Sequence, residues 1–350
     1  MSPVVVREEP LRQFVQGVCA AMGAPGEVAA EVAAHLVRAS LSGHDAQGVA
    51  RLPEYAAETA AGTLVASAVP RVLRETAVTA LFDAGGGFGQ YSTAVALAWC
   101  VERARTSGLA AAAVRRSSDI GRVGDYGERA AEAGMLAMVT AGAVGPGAGD
   151  VMLFGGRDRF LGGNPWCLAA PGRGRSMVVA GATSAVSEAD VRLARARGER
   201  LPPDCVYDRY GRPSTDPDDL FAGGGLAPLG AAVAGRFGSG LGLASALFGG
   251  LAMTGEETEV GDPVGGVFLQ VVHPAAFGDL ASYRDLVEGA LRAAAATRPG
   301  AGRGDVLLPG EPERRSRAER RRTGVLLPDA TWTDLSGLAD QFAVALPPRG

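Results

Sequence analysis

Apolar residues along the chain recur with two different spacings, and the switches between them mark out the elements. "PGEVAAEVAAHLVRAS" has helical spacing, with Pro25 and Gly26 at its start and Gly43 behind it. "VARLPEYAAETAAGTL" keeps that period, with Pro53 near its start and Gly62 near its end. Then the pattern shortens. "TALFDA" (79–84) predicts a strand, and residues 90–107 a helix whose Ala94, Leu97, Val101 and Ala104 form one stripe stopped by Gly108. "LAAAAV" (109–114) predicts a second strand, followed by a loop, a helix running to Gly134 and the strand "MLAMVT" (135–140). Alternation of strand and helix predicts an α/β fold behind a helical N-terminal region. Farther on, "RFLGGNPWCLAAPG" and "MVVAGATSAVSEADVRLARARG" read as strand, loop, strand, helix. Residues 201–235 form a Pro- and Gly-rich ordered excursion, 238–255 a buried small-residue helix, 264–272 a strand, 279–297 a helix and 331–346 a terminal helix. No internal repeat and no clear linker interrupts the series.

Length and composition narrow the picture. With 350 residues, 47% of them hydrophobic, the chain can bury a large core. It has no apolar run of 18 residues and no basic start followed by an apolar core, so a cytoplasmic protein without a membrane partner is expected. A net charge of −4 gives no global basic field, so no nucleic-acid partner is expected either. All 34 basic residues are arginine. Without lysine there is no Schiff-base nucleophile, no P-loop cation and no lysine general base. Cys19, Cys100, Cys167 and Cys205 are scattered with no paired ligand spacing, which reads as buried thiols and no metal site.

Candidate chemistry is sparse. Of three histidines, His35 lies in a strongly helical stretch, His273 precedes Pro274 at a strand end, and only His44 sits in a polar, glycine-bounded loop, "SGHDAQG". "DAGGGFGQ", "GPGAGD" and "GSGLGLA" do not give strand, GxGxxG and helix with an acid about 20 residues later, so a Rossmann site is not expected. "ERRSRAERRR" (313–322) reads as a solvated helix face, with a patch for a cofactor 2′-phosphate as the rival reading. "VRRSSDIGRVGDYG" (114–127) places Asp119 in a strand–loop–helix connection. From the residues alone it is either a helix cap, paired with Arg116 or Arg122, or an active-site acid.

Six stretches, in order, carry a resemblance: "GHDAQGVARLPEY" (43–55), "SSDIGRVGDYG" (117–127), "LGGNPWCLAAPG" (161–172), "AGATSAV" (180–186), "GRFGSGLGLASALFGG" (235–250) and "LLPGEPE" (307–313). Together they cover nearly the whole chain and resemble the landmarks of the malate/L-lactate dehydrogenase-like oxidoreductases. The resemblance implies a non-Rossmann α/β fold with a mixed central sheet, a homodimer with its site near the subunit boundary, and NAD or NADP bound without a GxGxxG loop. It divides the chain into a helical region over 1–75 that contributes to substrate site and dimer, an α/β core over 76–310, and C-terminal helices over 311–350 that pack back.

The same resemblance assigns residues. Ser117, Gly121, Gly162, Gly163, Asn164, Pro165, Thr183, Ser184, Pro309, Gly310 and Glu311 fall on cofactor-binding positions, and His44, Arg51 and Phe237 on substrate positions. Departures stand among them. Ala46-Gln47-Gly48 replaces Ser-His-Gly, Asp119 replaces a histidine, Ala180 an aspartate and Phe237 a lysine. Gln47 hydrogen-bonds but supplies no proton, whereas Arg51 keeps the fork that clamps a carboxylate. The expected activity is therefore NAD(P)H-dependent reduction of a small carboxylate-bearing imine or 2-keto acid, with Asp119, Arg51 and Gln47 as its catalytic set. The rival expectation is a redox-silent chain, without cofactor, that runs a lyase, isomerase or cyclisation step.

Overall fold

The computed structural model describes residues 4–254, 264–302 and 304–350. Position 255, the expected end of the small-residue helix, lies outside the described residues. At the centre, strand Val264–Val272 runs antiparallel between Leu109–Arg115 and Leu136–Val144. Thr79–Asp83 adds on parallel to Leu109–Arg115 through the crossover helix Gly89–Ser107, and Arg71–Glu75 closes that edge antiparallel. The sheet is mixed, and Arg71–Glu75 belongs to its edge although the helical region was expected to reach residue 75. Alanine is a poor strand former, yet the run at 110–113 is the middle of the sheet. Its small side chains let the crossover helix sit close, and Leu97, Cys100, Val114 and Leu269 close that core.

Strand Leu136–Val144 forks, and the fork makes the site. Its first half, Ala137–Thr140, pairs with Trp166–Ala170, while Val144 pairs with Leu161. Between the branches Ala143, paired with Gly265 on its other side, has no strand partner on the fork side. Asn164 fills that gap with its side-chain amide: Oδ1 accepts from the Ala143 N–H at 2.9 Å and Nδ2 donates to the Ala143 carbonyl at 3.0 Å. The position demands a left-handed backbone, φ 41°, which asparagine tolerates better than most residues. Helix Gly235–Gly249 lies across the fork, and Asn164 Nδ2 also donates to the Gly242 carbonyl.

The two ends of the chain build the second lobe together. Helices Glu8–Ala21, Gly26–Leu41, Leu52–Ala61 and Asp329–Phe342 share one core through Phe14, Leu36, Tyr55 and Leu335. Val4–Val6 pairs antiparallel with Val325–Leu327. The Arg-rich run lies in helix Glu311–Thr323, which has no buried residue, as a solvated face requires, and which also clasps the fold. Arg317 grips Glu128 at 2.7 Å, Arg320 grips Asp45 and the Ser40 carbonyl, Arg321 pairs with Glu8, and Arg315 with Glu311 and Asp305. Four of its arginines are thus spent on the chain's own acids. Glu128 sits between Arg317 and the buried Arg122. Glu128→Gln removes the anion that both share, and about 2 kcal/mol of stability should go with it, read by urea unfolding at pH 7.

Candidate active site

A cavity of about 780 Å³ opens at the fork. Its floor is the fork itself, Ala141–Ala143 and Gly162–Pro165, with Gly265–Val267 beside them. One wall is the loop 116–124, and the N-terminal lobe adds His44 and Gln47.

Two glycines let the wall loop fold where it does. Gly89, at the start of the crossover helix, presses against the Ser118 and Asp119 carbonyls so closely that a Cβ there would overlap them. In return the Gly89 N–H donates to Ser118 Oγ at 3.0 Å. Gly121 takes φ 68°, and a Cβ on it would lie 2.5 Å from His35 Nε2. His35, expected as packing or surface, is fully buried and holds this loop: the Arg122 N–H donates to its Nε2 at 2.9 Å. That bond fixes the neutral tautomer with its proton on Nδ1, 3.4 Å from the Asp125 carboxylate. Arg116, at the loop's start, has a left-handed φ of 49° and forks Asp83. Burial alone would raise the Asp83 carboxyl, but hydrogen bonds from Arg116, the Gly85 amide and Arg115 hold it at about 2.

Asp119 faces the cavity as an acceptor. Its Oδ2 accepts from the Tyr55 hydroxyl at 2.8 Å and lies 3.3 Å from Arg51 Nη2, and its Oδ1 accepts from the Gly121 N–H at 3.1 Å. Behind it, Gln90 Nε2 donates to the Tyr55 oxygen at 2.7 Å. Burial first, then the Asp119 charge, push the Tyr55 hydroxyl well above its ordinary pKa. Arg51 stands over the Tyr55 ring and pairs with both Asp119 and Glu54. It lies behind Asp119 and does not line the cavity.

The cavity brings together His44, Gln47, Ser117, Asp119, Gly121, Gly162, Gly163, Asn164, Pro165 and Ser184 from the expected set. Within it, the Asn164 amide is spent on the fork, and Ser184 Oγ donates to the Val186 carbonyl. Thr183 is buried one step back, donating to the Gly163 and Asn164 carbonyls. Pro309, Gly310 and Glu311 form the entry to helix Glu311–Thr323 off the cavity wall, where Glu311 accepts from Leu308 and Arg315. Phe237 is 69% exposed on helix Gly235–Gly249 and also lies off the wall. Three residues escaped the sequence reading: Tyr55, Gln90 and Glu313, while Arg122, considered as a partner of Asp119, pairs with Glu128. Tyr55 and Glu313 both lie inside the landmark stretches, two to four residues from positions that were assigned.

The four cysteines are buried and free, and burial pushes the thiols of Cys19, Cys100 and Cys167 up to about 12, which leaves no thiolate at neutral pH. Glu31, His35 and Asp125 lie close together, but Arg38 and Arg129 already occupy the two carboxylates. No helix among the described residues is long and apolar enough to cross a membrane.

A family model described as malate/L-lactate dehydrogenase matches residues 6–336. The chain is 32% identical over 345 residues to an L-lactate dehydrogenase of Cupriavidus necator, an alignment covering 96% of this chain and 97% of that one. It is 30% identical to hydroxycarboxylate dehydrogenase B of Escherichia coli K12, with 96% and 94% covered. Its fold superposes on a Δ1-piperideine-2-carboxylate reductase from Pseudomonas syringae pvar. tomato with a TM-score of 0.80 at 27% identity, over 96% of this chain and 99% of that one.

Proposed function

The chain belongs to the malate/L-lactate dehydrogenase family, and from that premise we propose that it is an NAD(P)H-dependent reductase of a small carboxylate-bearing imine or 2-keto acid. Its relatives are named dehydrogenases and reductases, one of them for cyclic imine carboxylates. The observation that carries the reading is the cavity at the fork. Its 780 Å³ suits a dinucleotide with a small acid. Glycines pave it, and at Gly163 and Gly181 a Cβ would meet nothing within 4 Å, so backbone lies open to a ligand. Gly162, Gly163, Ser117 and Gly121 would hold the cofactor, which when bound supplies a hydride.

The chain's own residues then set the chemistry. Asp119 accepts from the Tyr55 hydroxyl and the Gly121 N–H, pairs with Arg51, and offers the cavity a negative edge, which favours a cationic iminium over a neutral ketone. Arg51 fixes Asp119 from behind. Gln47 orients the substrate by hydrogen bonds. Arg116, half-exposed at the cavity, meets an anionic group of substrate or cofactor. The working unit is a homodimer, a reading supported by Phe237, Leu247 and Leu251 exposed on and just beyond helix Gly235–Gly249.

Titration with NADH and NADPH, followed by nicotinamide fluorescence, tests the reading: saturable binding below millimolar concentration is expected for one of them. No binding of either at millimolar concentration would sink the reductase and leave the redox-silent lyase, isomerase or cyclase, a reading the loss of protic groups at Gln47 and Ala180 favours.

A further inference from the structure

We propose that His44, held by Glu313, is the proton donor of this cavity, and that the pair equips the site for 2-keto acids as well as imines. The proposal rests on the reductase reading and deepens it.

His44 follows helix Gly26–Leu41, and its ring lines the same cavity as Gln47 and Asp119. Its Nε2 lies 3.2 Å from Glu313 Oε1. An ionised carboxylate only accepts, so Nε2 carries a proton toward Glu313, and the proposed donor proton is the one an imidazolium holds on Nδ1. Among the described residues Nδ1 has no hydrogen-bond partner, and the His44 side chain is 37% exposed. Among the described residues Glu313 Oε2 is buried without a hydrogen-bond partner, and His44 is the side chain that the carboxylate engages through Oε1. The partnership is visible from the other side too: the His44 ring holds the Glu313 carboxyl down at about 2.

The chain fixes Glu313 firmly. It stands in the first turn of helix Glu311–Thr323, at the positive end of the helix dipole. One turn on, Arg317 and Arg320 clasp that helix to Glu128 and Asp45. The charges around the pair are Arg122, which attracts Glu313, and Asp45, beside His44 in sequence and taken up by Arg320. Asp119 across the cavity accepts from Tyr55 and Gly121 and pairs with Arg51, and Gln47 has no acidic proton. His44 is the one imidazole on the cavity wall.

The step balances. As hydride from a reduced nicotinamide adds to the carbonyl carbon, the π pair moves to oxygen and takes the Nδ1 proton. An alcohol and the oxidised cofactor result, and His44 regains its proton from water. An iminium brings its own proton and needs no such donor. That difference is the test. With the cofactor that binds, initial rates are measured on pyruvate, oxaloacetate and Δ1-piperideine-2-carboxylate for wild type, His44→Gln and Glu313→Gln. General acid catalysis is worth on the order of 10²- to 10⁴-fold. His44→Gln should therefore lower keto-acid kcat at least 100-fold, change imine kcat less than 5-fold, and leave cofactor affinity within 3-fold. Glu313 acts as a positioning residue, so Glu313→Gln should move the alkaline fall of keto-acid kcat/KM to lower pH. Equal losses on keto acid and imine, no loss on either, an unmoved pH profile in Glu313→Gln, or a wild type that binds cofactor yet reduces no keto acid would each overturn the proposal. Failure to bind cofactor overturns instead the reductase reading beneath it.

Discussion

Asp125→Ala should lower the unfolding free energy at pH 7 by about 4 kcal/mol, the cost of removing one partner from a buried ion pair. Asp125 is 2% exposed at the start of helix Gly124–Glu132. Arg38 forks it at 2.6 and 2.8 Å, Arg129 stands 3.8 Å away, and His35 Nδ1 lies at 3.4 Å. Without it Arg38 keeps only Glu31, and the His35 Nδ1–H faces nothing. The deficit should shrink in acid. Burial pushes the Asp125 carboxyl up, but the His35 ring and the Arg38 guanidinium outweigh burial and hold it well below the usual carboxylate range. A carboxyl lower in the folded than in the unfolded chain stabilises fully above its unfolded value, about 3.9. That stability drains as pH falls below it. Urea unfolding at pH 7 and pH 3 checks the sign: the gap between wild type and Asp125→Ala should be narrower at pH 3. A gap that stays constant would mean that the Arg38–Asp125 charge pair is not what the alanine removes.

Gly121→Val should cost about 3 kcal/mol, the sum of a left-handed backbone forced on a β-branched residue and an overfilled contact. The added Cβ meets His35 Nε2 at 2.5 Å, so the loop must lift. Lifting it strips His35 of the Arg122 N–H and Asp119 of the Gly121 N–H. Because Asp119 faces the cavity, turnover on any substrate should fall more than 100-fold, a larger loss than stability alone explains. His35→Ala opens room for the new methyls. In a double-mutant cycle the pair should therefore destabilise by clearly less than the sum of the singles, and strict additivity would place the strain somewhere other than the 35–121 contact.

How much of this was legible beforehand divides along physical lines. Elements with strong period and clear stops were readable: strand 264–272 has the bounds Val264–Val272, and the helix expected over 90–107 spans Gly89–Ser107. Burial overrode propensity for the alanine strand, and its apolar continuity still announced it. The short pairing of Val4–Val6 with Val325–Leu327 was not readable, because three residues carry no period and the partners lie more than 300 positions apart. The Arg-rich run was read as solvated, which its exposure bears out, but its partners were not readable for a related reason. Its composition says solvent, while its partners, Glu128, Asp45 and Glu8, come from elsewhere in the chain. In the site, landmark motifs gave the neighbourhood but not the contacts. Asp119 was singled out, while its partner Tyr55 closed a landmark stretch with no role assigned to it. Glu313 stood at the end of another landmark stretch, also with no role assigned. Asn164 stood on an expected cofactor position, and its amide is committed to the forked strand.

The pairing of the chain's two ends sets a clock on folding. Helices Glu8–Ala21 and Gly26–Leu41 leave the ribosome well before Val325, Leu327, Trp332, Leu335 and Leu338, which complete their core. At roughly 5–20 residues per second, the interval is on the order of 15 to 60 seconds. Through that time the N-terminal helices carry an apolar face with no cover of its own. Glu313 arrives equally late, so the nascent chain has most of its sheet and its cavity floor well before it has the carboxylate beside His44.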